Sequence, residues 1–197
     1  HKIKVVITGE GADELLGGYN IFKEAKIRRF WAKDSDSKIR PLLLRKLYPY
    51  IPQIGNSSVN VLRMFFGYRL NDTNSNVYSH ILRWNNSSRI SNYFTKNIRE
   101  KLKDYDPIKN YEESLPSELK YIDDLSKAQY IEIDLFLSKY LLSSQGDRMA
   151  MIHSVEGRYP FLDHRLIELS MRLNPELKLK GLNEKYLLKK MVKGKIP

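Results

Sequence analysis

The chain has 197 residues, of which 42% are hydrophobic and none is cysteine. This composition can bury a core, so it argues against a disordered tail and predicts one domain or two small ones. It excludes disulfides and thiolate metal sites, which favours a cytoplasmic protein. No apolar run is long enough for a membrane span or a signal peptide, so we expect no membrane partner.

Two stretches that are rich in lysine and arginine, residues 23–46 and 178–195, contribute to a net charge of +11. Clustered cations attract polyanions, which leaves a nucleic-acid or polyphosphate surface open. Both stretches also carry apolar residues at helical spacing, which is typical of the solvated face of an amphipathic helix. We therefore favour amphipathic helices and do not expect nucleic acid as a partner.

The first predicted element is a strand at residues 3–7, an apolar run rich in valine and isoleucine. Such a run predicts a strand buried on both faces of a parallel sheet. Ligands bind outside the carboxyl ends of these strands, so we expect function in the loop that follows. There, Gly9 and Gly11 flank Glu10 and let the backbone turn sharply and approach a ligand. Only His1 and Lys2 precede the run, which suggests a longer chain.

After this strand the chain is predicted to be mostly helical. A helix at residues 12–16 carries Asp13 and Glu14 in its first turn, where acids favour the positive helix end. A second helix follows over residues 20–33. Prolines then break residues 41–54 into short pieces, and residues 71–91 indicate a surface loop around one aromatic segment, because they are rich in asparagine and serine.

The later part of the chain carries clearer helix signals. Ser126 with Gln129 fits a capping box, which predicts a long helix to about residue 142. Its apolar residues are too many for one stripe, so we expect it to be buried on most sides. Asp163 is expected to cap a helix over residues 164–173, and Asn183 to open a last amphipathic helix.

Two charged pairs lie among the apolar residues of this later part. Asp147 is followed by Arg148, and Glu156 by Arg158. Buried or half-buried ion pairs that pack a turn would explain them. Groups of a binding site would explain them equally well.

Two motifs stand out, one near each end of the sequence. Residues 8–19 read T-G-E-G-A-D-E-L-L-G-G-Y, and residues 147–165 fit the pattern D-R-M-x-M-x-H-x-x-E-x-R-x-P-F-L-D-H-R. The first resembles the signature S-G-E-G-x-D-E-x-x-G-G-Y of glutamine-hydrolysing asparagine synthetases, and the second resembles a later block of the same family. Two motifs in the right order argue against chance similarity. Thr8 replaces the usual serine and keeps a hydroxyl.

The resemblance implies an α/β fold of the N-type ATP pyrophosphatase, or adenine nucleotide alpha-hydrolase-like, kind. Residues 1–197 would form a partial synthetase domain that is mostly helical, with one buried parallel strand at its start. In this family, ATP and Mg²⁺ activate the side-chain carboxylate of aspartate as an acyl-adenylate, which glutamine-derived ammonia then attacks to form asparagine.

The resemblance also implies parts that this sequence lacks. The family's pyrophosphate loop and glutaminase domain would precede residue 1, and its pyrophosphate-contacting lysine would follow residue 197. We therefore expect the segment to be inactive by itself, with a glutaminase domain as its partner in the full-length chain. A homodimer is compatible with the resemblance.

By the same resemblance, Glu10 matches the general base that accepts a proton from ammonia. Asp13 matches the residue that binds Mg²⁺ and pyrophosphate. Backbone groups at Thr8, Gly9 and Gly11 are expected to face the nucleotide. Further candidates on the substrate or phosphate side are Glu14, Asp147 and Arg148.

Two other function classes remain open. Another acyl-adenylating enzyme of this fold, such as a β-lactam synthetase, resembles the loop but has tyrosine at the position of Glu10, so the glutamate favours intermolecular amide formation. A basic, non-enzymatic module would instead bind nucleic acid with steep salt dependence. The synthetase interpretation requires that residues 147–163 fold back against residues 8–13.

Overall fold

The computed structural model describes residues 3–196. The expectations attached to His1, Lys2 and Pro197 lie outside the described residues. The chain divides into two compact units, one from the described parts of His1–Lys23 and Asp123–Pro197 and the other from Glu24–Ile122. Each unit has its own core and is treated separately.

Helices make up most of the described chain. The two strands are β1 (Val5–Ile7) and β2 (Glu156–Arg158). The α-helices are α1 (Ala12–Leu16), α2 (Asn20–Ala32), α3 (Pro52–Gly55), α4 (Val59–Phe66), α5 (Tyr78–Ser88), α6 (Lys96–Lys101), α7 (Pro107–Ser114), α8 (Asp124–Ile131), α9 (Arg148–Ile152), α10 (His164–Arg172), α11 (Pro175–Lys178) and α12 (Tyr186–Val192). Short 3₁₀ turns lie at Arg40–Lys46, Arg89–Tyr93, Ser117–Tyr121 and Pro160–Leu162.

The sheet of the first unit is a parallel pair of β1 and β2, in which Val5 lies opposite Glu156 and Ile7 opposite Arg158. The prediction of a parallel strand at the start of the chain is confirmed. The prediction that this strand is buried is wrong, because all of β1 is exposed. The apolar pattern predicted two covered faces, whereas the described residues form a sheet of only two strands.

The helix predicted from Ser126 begins earlier, at α8. Its N-cap is Asp123, whose carboxylate accepts hydrogen bonds from the backbone N–H groups of Leu125 and Ser126, both at 3.0 Å. The capping-box prediction is therefore wrong. Asp123 takes the role because one carboxylate oxygen accepts both free N–H groups, and the Ser126 hydroxyl donates to its other oxygen at 2.6 Å.

Beyond α8 the helix continues through a π-helical segment, Glu132–Asp147, into α9. In a π-helix the backbone hydrogen bonds join residues five apart. Side chains five apart can then meet, and the Lys139 ammonium lies 3.0 Å from the Asp134 carboxylate. The prediction of burial on most sides is wrong for this part. Leu137 is buried, but Phe136 and Tyr140 are exposed.

The ends of the later helices agree only partly with the sequence prediction. Asp163 caps α10 by accepting a hydrogen bond from the Arg165 N–H at 2.9 Å, so that prediction is confirmed. The last helix, α12, starts after Lys185 and not at Asn183. Asn183 instead exchanges backbone hydrogen bonds with Lys180, which leaves it outside the helix.

The second unit is built around a buried arginine. The Arg28 side chain is fully buried and donates to the carbonyl oxygens of Phe66, Tyr68 and Tyr78. The basic stretch at 23–46 is thus not only a solvated helix face. Apolar residues of this core are Trp31, Leu44, Leu47, Leu62, Val77 and Ile81.

Two further features bear on the predictions for this unit and for membranes. The stretch predicted as a loop at residues 71–91 contains α5, which continues through Ser88. Across residues 3–196, no helix combines the length and apolarity that a membrane crossing requires.

Candidate active site

The loop between β1 and α1 holds the acids that the sequence singled out. The Gly9 carbonyl accepts from the Ala12 N–H at 3.1 Å, which closes the turn into α1. The Thr8 hydroxyl accepts from the Glu10 N–H at 3.4 Å. Glu10 is half-buried at the tip of this turn, so its carboxylate can meet a ligand while its backbone is fixed.

The two glycines of this loop differ in what the fold requires of them. Gly11 has a φ of +88°, and a Cβ there would lie 2.3 Å from Leu162 Cδ2. The positive φ favours glycine at this position, and a side chain there would also displace Leu162. A Cβ on Gly9 would meet open space, so the close approach of a ligand at Gly9 stays a prediction.

The second motif lies against this loop, as the synthetase interpretation requires. The Thr8 N–H donates to the Arg158 carbonyl at 3.0 Å, which extends the pairing of β1 with β2 by one residue. Leu162, four residues beyond β2, packs on Gly11. Because the strands are parallel, both loops leave the same edge of the sheet. The prediction that the later block folds back against residues 8–13 is confirmed.

Asp147 reaches this edge through a residue that the sequence analysis missed. The Tyr159 hydroxyl donates to Asp147 Oδ1 at 3.1 Å. Burial raises the pKa of Tyr159, and the hydrogen bond to Asp147 and the negative charge of Glu10 raise it further. The hydroxyl therefore binds an acid of the second motif, and its pKa is also raised by the charge of an acid of the first motif. Tyr159 occupies a variable position of the motif, so no sequence signal marked it.

The other charged residues of the block lie at the surface. Arg148 is exposed at the start of α9 and makes no side-chain hydrogen bond or ion pair within residues 3–196. Glu156 and Arg158 form an ion pair at 2.7 Å with both side chains well exposed. This pair is not the buried one that packing alone would predict, and its exposure makes its contribution to stability small.

Asp13 lies half-buried in the first turn of α1, and its carboxylate is already paired. Lys185 Nζ lies 2.8 Å from Asp13 Oδ1. Among the described residues no group of three acids or histidines could hold a metal ion. One carboxylate fits a Mg²⁺ ion that is carried mainly by phosphate oxygens and water, and it does not fit a metal site made by protein alone.

The Glu14 side chain, unlike that of Asp13, lies in the core. It is only 1% exposed and accepts a hydrogen bond from the Tyr19 hydroxyl at 2.8 Å. Burial raises the pKa of Glu14 despite the opposing effect of hydrogen bonds from its backbone and from Tyr19. A role of Glu14 on the phosphate side stays a prediction.

The end of α1 is held by a buried polar network that sequence reasoning also missed. Gln129 Nε2 donates to the carbonyl oxygens of Glu14 and Leu15. Its Oε1 accepts from Lys178 Nζ at 2.8 Å, and both side chains are buried. The network therefore fixes α1, and with it the acidic loop, to α8 and α11.

Comparison with known proteins agrees with this pairing of motifs. The asparagine synthase family model matches residues 1–197. This chain belongs to the asparagine synthase family. Asparagine synthetase [glutamine-hydrolyzing] 1 of Bacillus subtilis is 28% identical over 99% of this chain and 29% of its own length.

Two other relatives match to a similar extent. A putative asparagine synthetase of Mycobacterium bovis is 27% identical over 99% of this chain and 28% of its own length. The protein named amidase chry2 of Gibberella zeae is 30% identical over 97% of this chain and 30% of its own length. The chain of this asparagine synthase family member thus spans less than a third of these relatives. No solved structure gives a significant match to it.

Proposed function

We propose that this chain contributes one wall of an active site that forms an amide from a carboxylate, ammonia and ATP. The observation that carries the proposal is the meeting of the two family motifs at one edge of the parallel sheet. There the Thr8 N–H binds the Arg158 carbonyl, and Leu162 packs on Gly11. Family membership supports the same reaction class.

The proposed reaction has two steps. A carboxylate oxygen of aspartate attacks the α-phosphorus of ATP, the bond from that phosphorus to the bridging oxygen breaks, and pyrophosphate leaves. Ammonia supplied by a glutaminase domain then adds to the acyl carbon of the adenylate. AMP leaves with the former carboxylate oxygen, and the surplus proton passes from nitrogen to a base.

Glu10 is the base in this proposal, because it is a half-buried carboxylate at the turn between β1 and α1. A carboxylate there can accept a proton as the nitrogen loses its lone pair to the acyl carbon. The Thr8 hydroxyl accepts a hydrogen bond from the Glu10 N–H, which fixes the backbone of the turn. The carboxylate is thereby held within reach of the ammonia. Thr8, Gly9 and Gly11 are proposed to face the nucleotide through their backbone groups.

Asp13 is the residue that would hold Mg²⁺ delivered with the nucleotide. Bound there, Mg²⁺ would offset the negative charge that gathers on the leaving pyrophosphate. Asp147 is proposed to act on the substrate side together with Tyr159, which connects it to the neighbourhood of Glu10. Arg148 is proposed as an exposed cation at the same side.

The test uses the full-length protein and asks at which of the two reaction steps a variant of Glu10 and a variant of Asp13 fail. Glu10→Gln keeps the size of the side chain but removes the base, so amide formation should slow by about 10²- to 10⁴-fold. Pyrophosphate release should suffer less. Asp13→Asn should instead reduce pyrophosphate release itself, because the metal loses a charged ligand.

Pyrophosphate and asparagine are measured separately in single-turnover reactions with aspartate, ATP, Mg²⁺ and ammonia. Glu168→Gln is the matched control, since Glu168 is an exposed acid on α10, and it should leave both products unchanged. Equal loss of both products in Glu10→Gln would overturn the general-base assignment. Full activity of both site variants would overturn the proposed active site.

A further inference from the structure

A segment of the second unit lies at the surface along its whole length. It comprises residues 89–118, here called the arm, and contains α6 and α7. Every residue of the arm is exposed or half-buried. Two contacts hold it to its own unit: the rings of Trp84 and Tyr111 meet edge-on with centres 5.5 Å apart, and the Ser75 hydroxyl donates to the Glu112 carboxylate at 2.7 Å. Both contacts are made by α7.

The part of the arm before these contacts is held only locally within residues 3–196. From residue 94 to residue 110, the hydrogen bonds and ion pairs join residues that are at most four apart. Helix α6 has six residues and α7 has eight, whereas isolated helices shorter than about 12 to 15 residues are marginally stable in water. These helices therefore need packing from another surface.

The arm exposes apolar side chains that can take part in such packing. Ile98 and Leu102 lie one helical turn apart on the same face of α6, and they are 42% and 41% exposed. Tyr105, which follows them, is 57% exposed, and Tyr93, which precedes α6, is 89% exposed. Exposed apolar side chains on a segment with no core of its own are typical of a surface that another protein covers.

The charges of the arm fall into two halves of opposite sign. Residues 89–103, the basic half, hold five lysine or arginine residues and one acid, and residues 104–118, the acidic half, hold five acids and one lysine. The ion pairs Lys96 with Glu100 and Lys109 with Glu113 each lie within one half. Within residues 3–196 no ion pair joins the two halves. The basic half of one arm is therefore complementary in charge to the acidic half of a second arm.

We propose that the arm is a dimerisation surface, on which the basic half of one chain packs against the acidic half of a second copy. Each arm offers both halves, so a two-fold axis makes the same contact twice. The contact covers the exposed apolar face of α6 and gives both short helices the packing that they lack. Nucleic acid is a poorer partner for the arm, because the acidic half would repel a polyanion. The dimer does not depend on the proposed reaction.

Charge reversal tests this pairing by sedimentation velocity of the full-length protein over a range of concentrations. Two triple variants reverse exposed charges of one half each. The acidic-arm variant carries Arg99→Glu, Lys101→Glu and Lys103→Glu, and the basic-arm variant carries Asp104→Lys, Glu113→Lys and Glu118→Lys. Each variant repels a copy of itself, and a two-fold dimer contains every change twice. The dissociation constant of each dimer should therefore rise at least about tenfold.

The matched control reverses three exposed lysines of the same unit outside the arm, with Lys33→Glu, Lys38→Glu and Lys46→Glu. It makes the same change in net charge as the acidic-arm variant and should leave the dissociation constant of the dimer unchanged. Circular dichroism checks that each variant is folded. If a reversal unfolds the protein, Leu102→Ser provides a second measurement that keeps all charges. It should also raise the dissociation constant, and an unchanged constant would overturn the proposal.

The decisive step mixes the acidic-arm and basic-arm variants in equal amounts at about 0.1 M salt, where charges in contact still attract. The mixture restores opposite charges at both contacts, so heterodimers should form about as tightly as the dimer of the unmodified protein. If the arm packs instead on another part of its own chain or on a different partner, the mixture stays monomeric and the proposal is overturned. It is overturned equally if the unmodified protein is a monomer, or if each variant alone dimerises as the unmodified protein does.

Discussion

At the scale of single residues, the loop depends most on Gly11. Its φ of +88° strains any residue with a Cβ, and a Cβ there would lie 2.3 Å from Leu162 Cδ2, which would have to shift. We predict that Gly11→Ala lowers the free energy of unfolding by at least about 1 to 2 kcal/mol, which is the cost of a left-handed residue with a Cβ. Denaturant unfolding checks this.

The neighbouring glycine provides the matched control. Gly9→Ala adds the same methyl group in open space, so its unfolding free energy should stay within about 0.5 kcal/mol of the unmodified protein. If Gly9→Ala nonetheless reduces ATP binding, the methyl group obstructs the ligand and the predicted close approach at Gly9 gains support. Equal stability of both variants would contradict the assigned role of Gly11.

At the scale of elements, Gln129 decides how α1 is attached to α8. Its amide binds two carbonyl oxygens at the end of α1 and the buried Lys178 ammonium. Gln129→Leu leaves all three groups without this partner, so we predict a loss of about 3 to 5 kcal/mol in unfolding free energy. Chemical denaturation measures the loss.

A double-variant cycle tests how much of this loss of unfolding free energy involves Lys178. Gln129→Leu combined with Lys178→Met removes the buried charge together with its acceptor. The double variant should therefore lose less unfolding free energy than the sum of the losses in the two single variants. Simple additivity of the two variants would show that the amide and the ammonium do not depend on each other. The carbonyl oxygens of α1 would then account for the cost.

At the scale of the whole molecule, Glu14 should impose a pH dependence on stability. Burial raises its folded pKa above the ordinary 4.5. The stability that it contributes is therefore complete below about pH 4.5 and is lost as the pH rises through the folded pKa. Glu14→Gln does not titrate and can still accept from Tyr19, so its stability relative to the unmodified protein should increase with pH.

This prediction is checked by unfolding both proteins at several pH values from about 4 to 8. The difference should grow by at most about 1.4 kcal/mol for each pH unit within the titration range. Glu168→Gln, which changes an exposed acid, should show no such trend. A difference that shrinks with rising pH would mean that the charged Glu14 is favoured by its hydrogen bond to Tyr19 more than it is penalised by burial.

The sequence by itself determined the local features of this molecule. The valine- and isoleucine-rich run predicted the strand, the glycine-spaced acids predicted a turn into a helix, and Asp163 predicted a helix cap. Such features depend on residues a few positions apart, so a short window contains their cause. The two motifs also predicted a shared site, because their resemblance to one family carried information about distant contacts.

Only the tertiary structure decided which side chains serve the site from a distance. In the folded chain β1 is exposed, Gln129 binds the end of α1, and Lys185 pairs with Asp13. Burial and pairing of these residues depend on contacts between segments far apart in sequence, and no local pattern encodes such contacts.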